Sequence, residues 1–125
     1  MVTAQTNSQG HKNLIVYQKA KENTLSLFSY YKTRNLNWAE KLLMDQLLRA
    51  TASIGANIAE GYGRHYKQDY RRFISIARGS CFEVDYWLDL LIEAKPADKK
   101  FLVGVQLSNI EVGKILTTLM KNLSA

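Results

Sequence analysis

The chain has 125 residues, a net charge of +6, 46% hydrophobic and 22% charged residues, which describes one globular domain long enough to bury a core. A single cysteine, Cys81, excludes an internal disulfide and fits a reducing cytoplasm, the location expected here. No apolar run nears the roughly 20 residues of a membrane span, and the polar opening MVTAQTNSQG does not read as a signal peptide, so none is expected.

Residues 1–11 read as a disordered tail, and 12–125 as one helical unit with no repeat or second domain. The first helix is expected over about 12–33, with Leu14, Tyr17, Leu25, Phe28 and Tyr31 at helical spacing. Asn35, Leu36 and Asn37 interrupt it, and Asn37 with Glu40 three residues on forms a capping box for a second helix, about 38–61. That helix carries Leu43, Leu47, Ala50, Ile54, Ile58 and Gly61 on one stripe. It also holds Gly55 and Asn57, which cost about 1 and 0.5 kcal/mol against alanine in a helix interior. The stretch GYGRHY makes the next turn, with Gly61 and Gly63 expected to let the chain reverse.

A third helix, about 67–94, shows the line Tyr70, Phe73, Ala77, Ser80, Val84, Trp87 and Leu91, whose steps of three and four are a bundle seam. Pro96 suits the first turn of a fourth helix, about 97–123, where its missing N–H is harmless. Leu102, Val105, Leu107, Ile110, Val112, Leu116, Leu119 and Met120 are its apolar positions. Four helices joined by short turns predict an all-α, antiparallel up-down four-helix bundle.

The chain has more apolar faces than one bundle needs. Gly79, Phe82, Tyr86 and Leu90 form a second line on the third helix, and Ala52, Ala56 and Ala59 lie opposite the core stripe of the second. A helix apolar on two sides has two partners, which predicts a homo-oligomer built on these faces. Charge is segregated too. Arg64, Lys67, Arg71, Arg72 and Arg78 precede Glu83, Asp85, Asp89 and Glu93, an order that opposes the helix dipole. Two readings follow: Lys99 and Lys100 neutralise the acidic end, or the basic end binds the backbone of RNA or DNA. Tyr62, His65 and Tyr66 beside the basic end are aromatic surfaces for exposed bases, or covers for the end of the core.

The chemistry of a metal or nucleophilic enzyme is sparse. His11 and His65 are the two histidines, and no Glu-x-x-His pair, phosphate loop or Cys-x-x-Cys is present. Cys81 reads as a buried inert thiol. Glu60, Glu83, Asp85 and Asp89 are the carboxylates that a metal would have to gather. The expectation is a non-enzyme without catalytic residues, metal or cofactor.

Two blocks of residues resemble a known family. Residues 49–64, RATASIGANIAEGYGR, and 73–83, FISIARGSCFE, look like the two signature blocks of the bacterial four-helix bundle proteins, many encoded in intervening sequences of 23S ribosomal RNA genes. The likeness runs from about Leu14 to Leu123. It implies a four-helix bundle assembling as a pentameric ring, with a relative in the accessory variability determinant of diversity-generating retroelements, which works with a reverse transcriptase and its template RNA. The family usually has proline at the position of Gly55, implying a helix interruption, and serine at that of Tyr66, implying a cap that tyrosine cannot make. Among the motif residues, Asn57, Glu60, Ser80 and Glu83 form a polar set in which Asn57 and Ser80 are expected to touch, alongside Gly61, Arg64 and Arg78.

Two functions are therefore expected as alternatives. One is an oligomeric nucleic-acid binder, RNA above all, using Arg64, His65, Lys67, Arg71, Arg72 and Arg78, and in one form serving a reverse transcriptase. The other is a structural or protein-interaction ring without nucleic-acid contact.

Overall fold

The computed structural model describes residues 9–124. A single 3-10 turn, Gly10–Asn13, leads into α1 (Ile15–Thr33), α2 (Trp38–Tyr62), α3 (Lys67–Ala94) and, after a second 3-10 turn at Pro96–Asp98, α4 (Lys99–Asn122). Of the expected tail, residues 1–8 lie outside the described residues. Its last part is folded, with Gly10 buried and His11 edge-on to Tyr17 at 5.0 Å.

Each helix packs on its neighbours in the order α1, α2, α3, α4 and back to α1, as short antiparallel connections require. The start of α2 shows the expected box: Asn37 Oδ1 accepts from the Glu40 amide at 2.8 Å, and Glu40 Oε1 accepts from the Asn37 amide at 2.9 Å. Pro96 opens a 3-10 turn rather than the α-helix itself, which begins three residues later. Tyr66 makes no side-chain cap on α3.

The core differs from the sequence reading by a rotation of α3. Its buried line is Tyr70, Ile74, Ala77, Cys81, Val84, Leu88 and Leu91, a strict alternation of steps of four and three. Phe73, Ser80 and Trp87 sit one residue earlier, on the flank beside α2. Their chemistry explains why: the Trp87 indole donates to Glu83 at 3.1 Å, and the Ser80 hydroxyl bonds to Ser53 at 2.8 Å, so both need a polar edge. On α1 the core takes Val16, Ala20, Leu27 and Tyr30, leaving Leu25 and Phe28 outside. On α4, Leu107 and Ile110 are exposed, and Asn109 holds the buried position between Val105 and Val112.

Helix α2 runs without interruption through Gly55, whose missing Cβ would stand 3.9 Å from Ala20 Cβ, ordinary contact. Gly61 is different. A Cβ there would lie 2.8 Å from Phe73 Cβ and 3.1 Å from Tyr70 Cδ1, so α2 and α3 approach too closely for any side chain. Gly61 is therefore a helix-contact glycine rather than a turn residue. Gly63, with φ −77°, needs no glycine for its conformation either.

Candidate nucleic-acid interface

The up-down order puts the start of α3 at the same end of the bundle as the ends of α2 and α4. Arg64 leaves the end of α2 with its amide donating to the Gly61 carbonyl at 3.0 Å. Its guanidinium lies 4.6 Å over the Phe73 ring and makes a loose pair with Glu60, 3.6 Å away and half-exposed. Arg72 lies 4.9 Å over the same ring. One aromatic ring thus carries two cations, each held by the negative potential of its face.

On the α4 side, Arg71 donates from Nε to Ser124 Oγ at 2.9 Å, and Ser124 donates to the Met120 carbonyl at 3.0 Å. The contact braces the start of α3 against the end of α4. An open groove of about 850 Å³ runs here, lined by Lys67, Gln68, Arg71, Arg72, Ser75 and Ser124, with Asp69 its one carboxylate. Lys67, Arg71 and Arg72 form no ion pair among the described residues.

The opposite end is handled otherwise. There Arg34 pairs with Asp98 at 3.5 Å and Lys95 with Glu40 at 3.5 Å. The Tyr30 hydroxyl donates to Asp98 at 2.8 Å, and its ring stacks on Phe101. Burial first, then the Asp98 hydrogen bond and charge, push the Tyr30 phenol well above the ordinary tyrosine range. Lys99 and Lys100 make no ion pair with Glu93 among the described residues.

The six residues grouped by sequence divide. Arg64, His65, Lys67, Arg71 and Arg72 gather at this end, with His65 edge-on to the exposed Tyr66 at 4.9 Å. Arg78 does not join them. It lies farther along α3 in the seam with α4, where Nε donates to Thr117 Oγ1 at 2.8 Å and the guanidinium covers Phe82 at 5.1 Å. Tyr62 is buried against Tyr70 and closes the end of the core, so it offers no surface to a base. Sequence reasoning missed Ser124 and Ser75; the up-down topology already placed 121–124 opposite 67–71, which was the available signal.

The polar set is rearranged as well. Asn57 does not touch Ser80: its Nδ2 donates to the Ser53 carbonyl at 2.8 Å, and it is the Ser53 hydroxyl that meets Ser80. One helical turn separates Ser53 from Asn57, so the α2–α3 tie passes through the smaller side chain. Glu60 and Glu83 serve Arg64 and Trp87 respectively. Among the described residues no three His, Cys, Asp or Glu side chains gather as metal ligands, so Glu60, Glu83, Asp85 and Asp89 stay apart. Burial pushes the Cys81 thiol up to about 12, partly opposed by Arg78, which keeps it protonated and unreactive.

The surplus apolar faces stand open on opposite sides of the bundle. Ala52, Ala56 and Ala59 border a shallow groove of about 210 Å³ between α1 and α2. On α3, Gly79, Phe82 and Tyr86 are exposed and Leu90 is half-buried.

These observations define a class: an all-helical bundle protein, without strands among the described residues, whose one end is dressed with unpaired cations. The chain belongs to the 23S rRNA-intervening sequence protein family, whose model matches residues 12–118. A solved structure from Bacteroides thetaiotaomicron, a protein of unknown function from the S23 ribosomal protein family, is similar at 26% identity and a TM-score of 0.75. The match covers 86% of this chain and 99% of that one. A search among curated proteins found no match. No helix of the described residues is long and apolar enough to cross a membrane.

Proposed function

We propose that this chain is a non-enzymatic, oligomeric RNA-binding bundle that grips the nucleic-acid backbone at the end formed by Arg64, Lys67, Arg71 and Arg72. The observation that carries the reading is the gathering of cations in one groove. Lys67, Arg71 and Arg72 line it together, none of them in an ion pair among the described residues, with Asp69 its one carboxylate. Cations of this kind release counterions when they meet phosphates, so affinity falls steeply with salt. The exposed Tyr66 beside them supplies a ring on which an unpaired base can stack, which favours single strands over duplex.

The test is fluorescence anisotropy with a labelled single-stranded RNA. With four phosphates contacted, log affinity against log salt should have a slope of about −3. Arg71→Glu with Arg72→Glu should abolish most of the binding. Affinity indifferent to both salt and charge reversal would end this reading.

A second reading is favoured by the exposed Phe82 and Tyr86 opposite the Ala52–Ala56–Ala59 face: a ring, pentameric in the form the resemblance implies, whose partner is another protein. Light scattering gives the number of copies, and Phe82→Glu should reduce it. A partner captured equally well after nuclease treatment would favour the ring without RNA. An accessory role beside a reverse transcriptase is the narrowest form of the first reading; a reverse-transcriptase gene next to this one would support it.

A further inference from the structure

The seam between α3 and α4 holds a groove of about 270 Å³ that the RNA reading does not use and that shares Phe82 with the face invoked for the ring. Its lining is largely apolar, with the buried Cys81 and the backbone of Gly113 as its floor and the exposed Phe82 and Ile110 beside them. Glycine is a weak helix former, and packing does not demand it here, because a Cβ would stand 3.8 Å from Cys81 Cβ. Gly113 therefore keeps the floor open at the expense of the helix.

Asn109 lines the same groove from the core of α4 and is 3% exposed. Its Nδ2 donates to the Cys81 carbonyl at 2.9 Å. Its Oδ1 is the one buried side-chain nitrogen or oxygen without a hydrogen-bond partner among the described residues. A buried carbonyl without a donor is destabilising, and such an atom calls for an explanation. The remaining polar groups are sorted along the groove. Arg78 and Asp85 are two turns apart on α3, with Phe82 between them. On antiparallel α4, Lys114 and Thr117 lie toward Arg78, and Asn109 toward Asp85. Arg78 uses only Nε, on Thr117, so its terminal nitrogens are unspent, and neither Asp85 nor Lys114 forms an ion pair among the described residues.

Donors thus occupy one end, acceptors the other, and apolar surface the middle. We propose that this groove binds a short zwitterion with an apolar spacer. Its ammonium is received by Asp85, backed by the dipole of the buried Asn109 carbonyl, and its anionic group by Arg78 and Lys114. Residues 78 and 85 are separated by about 10 Å of helix rise, a span that 6-aminohexanoate covers once the reach of the side chains is included.

The experiment titrates the full-length isotope-labelled protein with 6-aminohexanoate, hexanoate and hexylamine and follows amide chemical shifts. Saturable shifts confined to residues 78–85 and 109–117, including the Asn109 side-chain amide, are expected for 6-aminohexanoate. Its affinity should exceed that of either single-charge analogue about tenfold. Asp85→Asn, a surface change that leaves the fold intact, should remove the preference over hexanoate, and Gly113→Val should abolish the shifts. Equal binding of all three compounds, shifts elsewhere, or no saturation, as when a second copy covers the groove, would overturn the proposal.

Discussion

Gly61 provides the sharpest test of how α2 and α3 meet. Replacing it with alanine adds one methyl where the nearest atoms are Phe73 Cβ at 2.8 Å, Tyr70 Cδ1 at 3.1 Å and the Tyr70 carbonyl oxygen at 3.2 Å. None of these is the far end of a flexible side chain, so the helices must part. Overpacking of a core by a methylene-sized group costs about 1–3 kcal/mol. Alanine returns about 1 kcal/mol through its better helix propensity. Because 2.8 Å is shorter than real Cβ contacts allow, the cost falls at the upper end of that range, so the net expectation is a loss of about 2 kcal/mol, and Gly61→Val should lose more. Gly55 is the internal control, because its added Cβ meets only Ala20 Cβ at 3.9 Å; Gly55→Ala should therefore gain about 1 kcal/mol. Urea denaturation followed by circular dichroism at fixed protein concentration measures both. A Gly61→Ala protein as stable as the parent would refute the close approach of the two helices.

Three further outcomes follow from buried groups. Asn109→Leu should raise stability by about 1 kcal/mol or more, seen as a higher melting temperature, because it removes an unpaired buried carbonyl from a leucine-like position. Tyr30, Tyr31 and Tyr70 should ionise later than free tyrosine in an alkaline absorbance titration, Tyr30 through burial and Asp98, Tyr31 through Asp45, Tyr70 through burial. A pKa raised on folding means the native state holds its proton longer, so the Tyr30 contribution is intact below pH about 10 and is lost as pH rises above it. Tyr30→Phe should accordingly flatten the fall in melting temperature above that pH. Cys81, 5% exposed and held protonated by burial, should react with a disulfide reagent far more slowly than a free thiol; labelling of the native chain at the free-thiol rate would contradict its burial.

Patterns that depend on neighbours in sequence were legible. The Asn37–Glu40 box, the three breaks and the ends of α2 and α3 follow from local hydrogen bonding and periodicity, which the sequence carries in full. Choices between adjacent positions were not. Phe73 and Ile74, Ser80 and Cys81, and Trp87 and Leu88 offer two seams 100° apart, and hydrophobicity alone cannot say which faces inward. The decision came from partners on other helices, such as Ser53 for Ser80, that lie far away in sequence. The same holds for the basic cluster. Its first members share one end because a turn and a helix start bring them there, but Arg78 is drawn away by Thr117 on α4. Asn109 escaped notice because a lone asparagine between Leu107 and Ile110 looks like surface, although its steps from Val105 and to Val112 are those of the core.

The contact at Gly61 also bears on the order in which the chain assembles. Residues 61 and 73 meet across a connection of four residues between helices that end at Tyr62 and begin at Lys67. Closing so short a loop sacrifices little chain entropy, and contacts that are local in sequence form early in folding. The α2–α3 hairpin, capped at Asn37 and locked where no side chain intervenes, is then the nucleus on which α1 and α4 condense. Substitutions at Gly61 should slow folding, whereas those in the α1–α4 seam, such as Lys19 or Glu111, should chiefly quicken unfolding.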